Sequence, residues 1–336
     1  MSVSAGQEQY NRPMAASVHG HDHGRNRRLV CFLDTTDIIR RADPMASAGE
    51  LMASKTWQLG QVRITRVIEI GPLELPVGAI LDTDTETVLK HDWLRPFFAT
   101  DDGKVLINVQ AFVIEAGGRT IIVDTCIGND KPRGGALYNM RNEPFLERLG
   151  DAGFTPEQID VVMCTHLHVD HVGWNTRFVE GAWVPTFPNA RYLFERTEYA
   201  HAIEDRMGDQ EATYQDSVKP IVDAGLHLLV VSDHKLCDEV RLSPTPGHTP
   251  GHCAVIIESQ GQRAIITGDM IHHPIQVAEV DACSHVDTDK AQARQSRRDL
   301  FAQCEGTGDL LLGTHFPDPT SVRILRAGDG WRAEPA

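Results

Sequence analysis

Between residues 165 and 171 the chain reads Thr-His-Leu-His-Val-Asp-His, which packs three imidazoles and one carboxylate into six consecutive positions, His166 to His171. Imidazole nitrogen and carboxylate oxygen are metal ligands. A set this dense is hard to bury otherwise, because each imidazole would need its own hydrogen-bond partner. The apolar run at 159–164 just ahead reads as a buried strand. On an extended continuation side chains alternate, so His166, His168 and Asp170 would share one face while His171 would need the chain to turn. One strand end would then supply ligands to two adjacent ions.

The device recurs downstream at the ends of other apolar runs. Residues 240–242 lead into Pro246-Gly247-His248-Thr249-Pro250-Gly251-His252, whose prolines and glycines force an irregular loop that presents His248. Two further strand-like runs, 254–257 and 264–266, follow, and the second ends in Thr267-Gly268-Asp269. Near the C-terminus Leu310-Leu311-Leu312-Gly313-Thr314-His315 repeats the pattern and offers His315.

In this order the motifs closely resemble the metallo-β-lactamase superfamily over residues 56–325. Any one of them alone would be weak; as a set they are specific. Carried over residue by residue, the resemblance implies one metal held by His166, His168 and His248 and a second held by Asp170, His171 and His315, with Asp269 bridging the two. Asp170 counts both as a ligand and among the catalytic groups. His252 is left as a packing residue behind the ligands, and Asp124, in Asp124-Thr125-Cys126, orders loops under the site without binding metal. The family implies an α/β fold, the four-layer αβ/βα metallo-β-lactamase sandwich, with the site where the loops of two sheets converge.

Nitrogen and oxygen donors without thiolate suit zinc in a site that keeps an open position, with iron, manganese or cobalt as alternatives. Two zinc ions per chain, roughly 3.5–4 Å apart, would share a hydroxide whose pKa is drawn towards ~7. A serine or cysteine nucleophile is then unnecessary. Cys164 occupies a strand position beside His166 and reads as a buried structural thiol.

Composition narrows the class. The 336 residues carry a formal charge of -15, and no Lys/Arg stripe accompanies the histidines, which argues against nucleic acid as a partner. No run of 18 apolar residues predicts a membrane span. Seven cysteines at scattered spacings suggest reduced thiols and a cytoplasmic setting. Residues 1–55 lack sustained periodicity and read as a flexible N-terminal extension, His19, His21 and His23 included, with Met45 or Met52 as alternative starts. Residues 56–336 form the catalytic domain.

Within that domain 62–68 alternates as a half-buried strand, and 109–115 with 119–124 reads as a hairpin turning at Gly117-Gly118. Residues 145–149 give a helix stopping near Gly153, Thr155-Pro156 starts a further turn, and a second set of strands is expected from about residue 185.

The branch within the family turns on one departure. Acyl-homoserine lactonases carry a tyrosine three positions after the bridging aspartate to assist the leaving group, whereas here that position is His272, and His272-His273 looks more like the methyl parathion hydrolase branch. His272 is therefore a candidate hydrogen-bond donor or general acid. Trp174 and Phe316, three residues and one residue past ligands, are expected to overhang the metals and favour an apolar substrate. The sequence thus points to a dinuclear hydrolase of a neutral, moderately apolar lactone or ester, acting on a small molecule through a bridging hydroxide. Phosphotriester and β-lactam hydrolysis are alternative uses of the same machinery, and a mononuclear iron persulfide dioxygenase is the alternative from another class. Glyoxalase II is disfavoured for want of a basic C-terminal cluster, and a homodimer fits the relatives' habit.

Overall fold

From Lys55 onward, β-branched and alternating segments pair into two large sheets in the computed structural model, which describes residues 54–204 and 209–336. The expected flexible extension lies outside the described residues, save that Lys55 opens the first strand.

The first sheet has seven strands in the order β1 (Lys55–Leu59), β2 (Val62–Leu75), β3 (Val105–Ala116), β4 (Arg119–Val123), β5 (Val161–Met163), β8 (Arg191–Glu195) and β9 (His227–Val230). Strands β6 (Thr176–Val179) and β7 (Ala182–Pro185) form a separate hairpin. The second sheet runs β10 (Val240–Pro244), β11 (Cys253–Ser259), β12 (Gln262–Ile266), β13 (Leu310–Leu312), β14 (Ser321–Ala327) and β15 (Gly330–Pro335). The β3–β4 hairpin turns where expected, because Gly117 and Gly118 both take positive φ, at 56° and 69°, the backbone a two-residue hairpin turn needs.

Among the described residues seven helices complete the layers: α1 (Thr85–Lys90), α2 (Phe145–Asp151), α3 (Arg196–Glu204), α4 (Asp209–Thr213), α5 (Lys219–Asp223), α6 (Ile275–Ala278) and α7 (Lys290–Cys304). Asp289 starts α7 by accepting the Ala291 and Gln292 amides, which would otherwise be orphaned at the helix start. Residues 155–158 form a capping box around a short 3-10 turn, with Pro156 at its first position.

Apolar side chains divide into three cores. Ile64, Phe112, Ile121 and Met163 of the first sheet meet Val255, Ile257, Ile266 and Leu312 of the second. The outer face of the first sheet packs on Phe145, Leu149 and Ile221, while the outer face of the second packs on Ile275, Leu300 and Phe301. Helix, sheet, sheet and helix are thus stacked as the four-layer αβ/βα sandwich. Ile257 and Ile266 are fully buried between the sheets, so truncating either to alanine would cost about 2–5 kcal/mol.

One boundary differs from expectation: the second sheet begins at Val240, not near residue 185. Tyr192-Leu193-Phe194 needs cover on both faces and finds it beside β5, where Val162 pairs with Tyr192 in parallel. Strands β4, β5, β8 and β9 therefore run in parallel, and the chain leaves β4 and β5 at the same end of the sheet. Parallel β12 and β13 do the same in the second sheet.

Candidate metal centre

The segment from His166 to His171 is a turn and not the extended continuation the alternation argument assumed, because β5 ends at Met163. Asp124, just past β4 with φ 57°, holds the turn. Its Oδ1 accepts the Thr165 amide at 2.8 Å and its Oδ2 faces His171 Nδ1 at 2.9 Å. The His171 amide closes back on the His168 carbonyl at 3.1 Å, which brings the His166 and His171 rings to 4.0 Å between centroids. The second sheet supplies the facing groups: His248 from the loop after β10, Asp269 from the turn after β12, and His315 after β13.

The seven expected ligands meet. His166, His168 and His248 present ligand atoms within 4.8 Å of one another, as do Asp170, His171 and His315. His248 Nε2 lies 2.9 Å from His168 Nδ1. Asp269 stands between the two groups with one oxygen turned to each. Its Oδ2 is 3.4 Å from His248 Nε2 and 3.7 Å from His166 Nε2, while its Oδ1 is 3.0 Å from His315 Nε2 and 3.2 Å from His171 Nε2.

The ring nitrogens that face outward are tied down. His248 Nδ1 meets Asp287 at 2.9 Å and His315 Nδ1 meets the Asn108 carbonyl at 2.8 Å, a remote contact that fixes ring orientation in metal sites. The inward atoms are not: His166 Nε2, His171 Nε2 and Asp269 Oδ1 are buried without a hydrogen bond. Orphaned inward donors of this chemistry fit a divalent cation.

Electrostatics divide the groups. Burial, then neighbouring histidines, pushes His166 and His168 well below the usual imidazole range, and burial lowers His248 as well. His171 is pushed well up and His315 up, because the Asp269 carboxylate, joined by Asp124 and Asp170 at His171, outweighs the opposing effect of burial. Burial works against the Asp269 carboxylate, yet His171, His315 and His272 hold it well below the usual carboxylate range.

The metallo-beta-lactamase superfamily model matches residues 106–307, which contain every one of these groups except His315. The chain belongs to that superfamily. An N-acyl homoserine lactonase of Bacillus thuringiensis is 25% identical over 181 residues, half of this chain and 66% of that protein. A lactonase of Bacillus cereus is 30% identical over 166 residues, 46% of this chain and 60% of that protein. The chain thus spans less than two thirds of the length of these relatives. Among solved structures, the hydrolase AbOPH of the beta lactamase superfamily superposes with TM-score 0.70 at 22% identity, covering 84% of this chain and 97% of the other. AidC, a dizinc quorum-quenching lactonase solved with its product, superposes with TM-score 0.66 at 20% identity, covering 85% and 98%. Those two likenesses are of fold.

Around the candidate ligand set the structure adds residues to which no motif gave a role. Glu198, on α3, accepts the Leu167 amide at 2.9 Å and the Gly251 amide at 3.2 Å, joining two ligand loops. Asp287 orients His248. The Tyr138 phenol is pushed well above its usual range, first by the Asp170 charge, then by burial and the Asp269 charge. Glu198 and Asp287 are remote in sequence from the loops they join and orient.

His272 lies with the centre: its Nε2 is 3.3 Å from Asp269 Oδ2, on the side of His248, and with His248 and Asp269 it forms a further group able to hold a metal. His273 points elsewhere, to the Phe98 carbonyl at 2.8 Å. Cys164 is buried, and burial pushes its thiol well up, in keeping with a structural role.

Trp174 and Phe316 do not overhang the centre. Gly173 is pressed against the Ile127 carbonyl, where an added Cβ would come within 1.7 Å, and this close approach turns Trp174 inward. Its ring stacks on Phe145 at 5.5 Å and its Nε1 donates to buried Glu69 at 2.6 Å. Phe316 folds over Gly313 and meets Phe98 edge-on at 6.5 Å in the outer core of the second sheet.

Proposed function

We propose that this protein is a dinuclear metal-dependent hydrolase of a neutral, moderately apolar lactone or ester. The observation that carries the reading is Asp269, whose two oxygens face separate imidazole groups, the placement a carboxylate shared by two ions requires. His166, His168 and His248 would hold one ion; Asp170, His171 and His315 the other. Zinc suits these donors, and the dizinc lactonase AidC, alike in fold, is in keeping with that choice. Such ions supply Lewis acidity, polarising a carbonyl and bringing the pKa of water towards neutrality.

The chain's own residues supply orientation and proton handling. Asp124 and Asp287 keep the outward nitrogens of His171 and His248 engaged, so their inward nitrogens stay available as donors. His272 Nε2 is set to carry a proton to a departing oxygen. The N-acyl homoserine lactonases, one of them 25% identical over 181 residues, support a neutral lactone or ester as the substrate class. Six free cysteines among the described residues suit a reducing, cytoplasmic setting.

The test joins metal analysis to a turnover screen of the zinc-loaded protein on lactones, aryl esters and phosphotriesters. Two ions per chain with fastest turnover on lactones or aryl esters is the expected outcome. A single iron in fully active protein would overturn the dinuclear reading, and turnover confined to phosphotriesters would overturn the substrate class.

A further inference from the structure

Four histidines of the centre are fixed through the ring nitrogen that faces away from it: His166 by Thr165, His171 by Asp124, His248 by Asp287 and His315 by Asn108. Asp269 lacks such a handle, since both its oxygens face the centre. Its backbone has one instead. The Asp269 N–H donates to His252 Nε2 at 3.0 Å, and His252 Nδ1 lies 2.8 Å from Thr245 Oγ1. That amide opens a 3-10 turn, Gly268–Met270, where it has no partner within the turn.

A neutral imidazole has one donor and one acceptor nitrogen, so acceptance at Nε2 puts the proton on Nδ1 and makes Nδ1 the donor to Thr245. Both nitrogens are then consumed inside the protein. The ring is also gripped: it is 1% exposed, 5.2 Å from the His166 ring, and its own backbone carbonyl accepts the Thr245 amide at 2.9 Å. Gly268, at φ 52°, is pressed onto it so closely that a Cβ would meet His252 Nε2 at 2.6 Å and Thr165 at 2.9 Å. A turn held this tightly at its amide has little freedom in where its carboxylate points.

We propose that His252, the second histidine of the Pro-Gly-His-Thr-Pro-Gly-His loop, is a positioning residue that aims the Asp269 carboxylate by accepting its backbone N–H, and is not itself a ligand. The proposal rests on reading Asp269 as the carboxylate shared by two ions.

Two near-isosteric variants separate the contacts, because a glutamine side-chain oxygen falls where imidazole Nε2 lies and an asparagine oxygen where Nδ1 lies. His252→Gln keeps an acceptor towards Asp269; His252→Asn does not. In a competition between protein and chelator for zinc, His252→Asn is expected to bind the ions about 10–100-fold more weakly than wild type, with His252→Gln close to wild type. Equal binding by both variants overturns the proposal. Should His252→Asn fail to fold, nitrogen NMR of the metal-free wild type decides: His252 is expected neutral, protonated at Nδ1 and hydrogen-bonded at Nε2, and a proton on Nε2 overturns the proposal. If wild type takes up only one ion, the dinuclear reading falls, while the tautomer still reports on the contact between His252 and Asp269.

Discussion

Lys131, Arg133 and Asp216 are as deeply buried as the histidines of the metal centre, yet their charges are answered within the chain. Arg133 reaches Asp216 through both Nη atoms at 2.7 and 2.9 Å, which pairs its charge although its Nε makes no hydrogen bond, and Lys131 Nζ lies 3.0 Å from Thr176 Oγ1, 3.5 Å from Asp216 and 3.8 Å from the Trp183 ring centroid. In the centre His166 Nε2, His171 Nε2 and Asp269 Oδ1 face one another without a hydrogen bond. Buried polar atoms carry a desolvation cost that only a partner offsets. The Lys131 cluster is therefore scaffold, fastening the loop before α2 to β6 and the turn ahead of α5. The histidine cluster is built for a partner from outside.

The largest expected effect comes from Asp269→Ala, which should empty both metal positions and lower kcat/KM by at least ~10³-fold, as for groups that act as a unit. Elemental analysis of the folded variant checks it, and a full metal complement would show that Asp269 is not shared. Asp216→Ala should do the opposite. Leaving Arg133 and Lys131 unpaired should cost about 3–5 kcal/mol in denaturant unfolding while metal per folded chain stays unchanged. Loss of metal there would erase the distinction between scaffold and site.

His272→Ala sharpens the boundary of the centre. It should lower kcat about 10²-fold on substrates with poor leaving groups, and less on activated aryl esters, with metal content intact. Loss of metal instead would move His272 into the ligand set, consistent with its grouping with His248 and Asp269. The smallest effect is a pH dependence of the scaffold. Burial pushes the Lys131 ammonium down to about 8 from its ordinary 10.5, so between those values the unfolded chain still holds a proton that the folded protein has released. Lys131 therefore adds stability as pH rises through that window and nothing to the slope below it. Wild type should show a steeper rise than Lys131→Met, by up to about 1 kcal/mol per pH unit; parallel profiles would mean that Lys131 keeps its charge.

What the sequence disclosed and what it hid follow from the range of the forces involved. The β3–β4 hairpin and the histidine-bearing segments that meet were legible because turn chemistry at Gly117-Gly118 and clustered imidazoles are local signals. The sheet membership of β8 was not, since an apolar run buried on both faces looks the same beside either sheet. Nor was the turn at residues 166–171, which depends on hydrogen bonds accepted by Asp124, 41 residues before Thr165. Glu198 and Asp287 are single carboxylates whose partners exist only once distant loops meet. Trp174 and Phe316 misled because nearness in sequence to a ligand says nothing of which side of the backbone a ring takes, and at Gly173 and Gly313 close packing decided it.

The division of ligands between the sheets has a mechanical consequence. His166, His168, Asp170 and His171 hang from the first sheet, and His248, Asp269 and His315 from the second, so the ions they would hold are crosslinks across the seam of the sandwich, one tying residue 166 to residue 248 and the other residue 170 to residue 315. Closing loops that long restricts the unfolded chain much as a disulfide would, and each ion carries its own mass-action term besides. Chelation would then be felt along the whole seam, as faster amide exchange in β5 and β12, well before any helix on the outer layers began to melt.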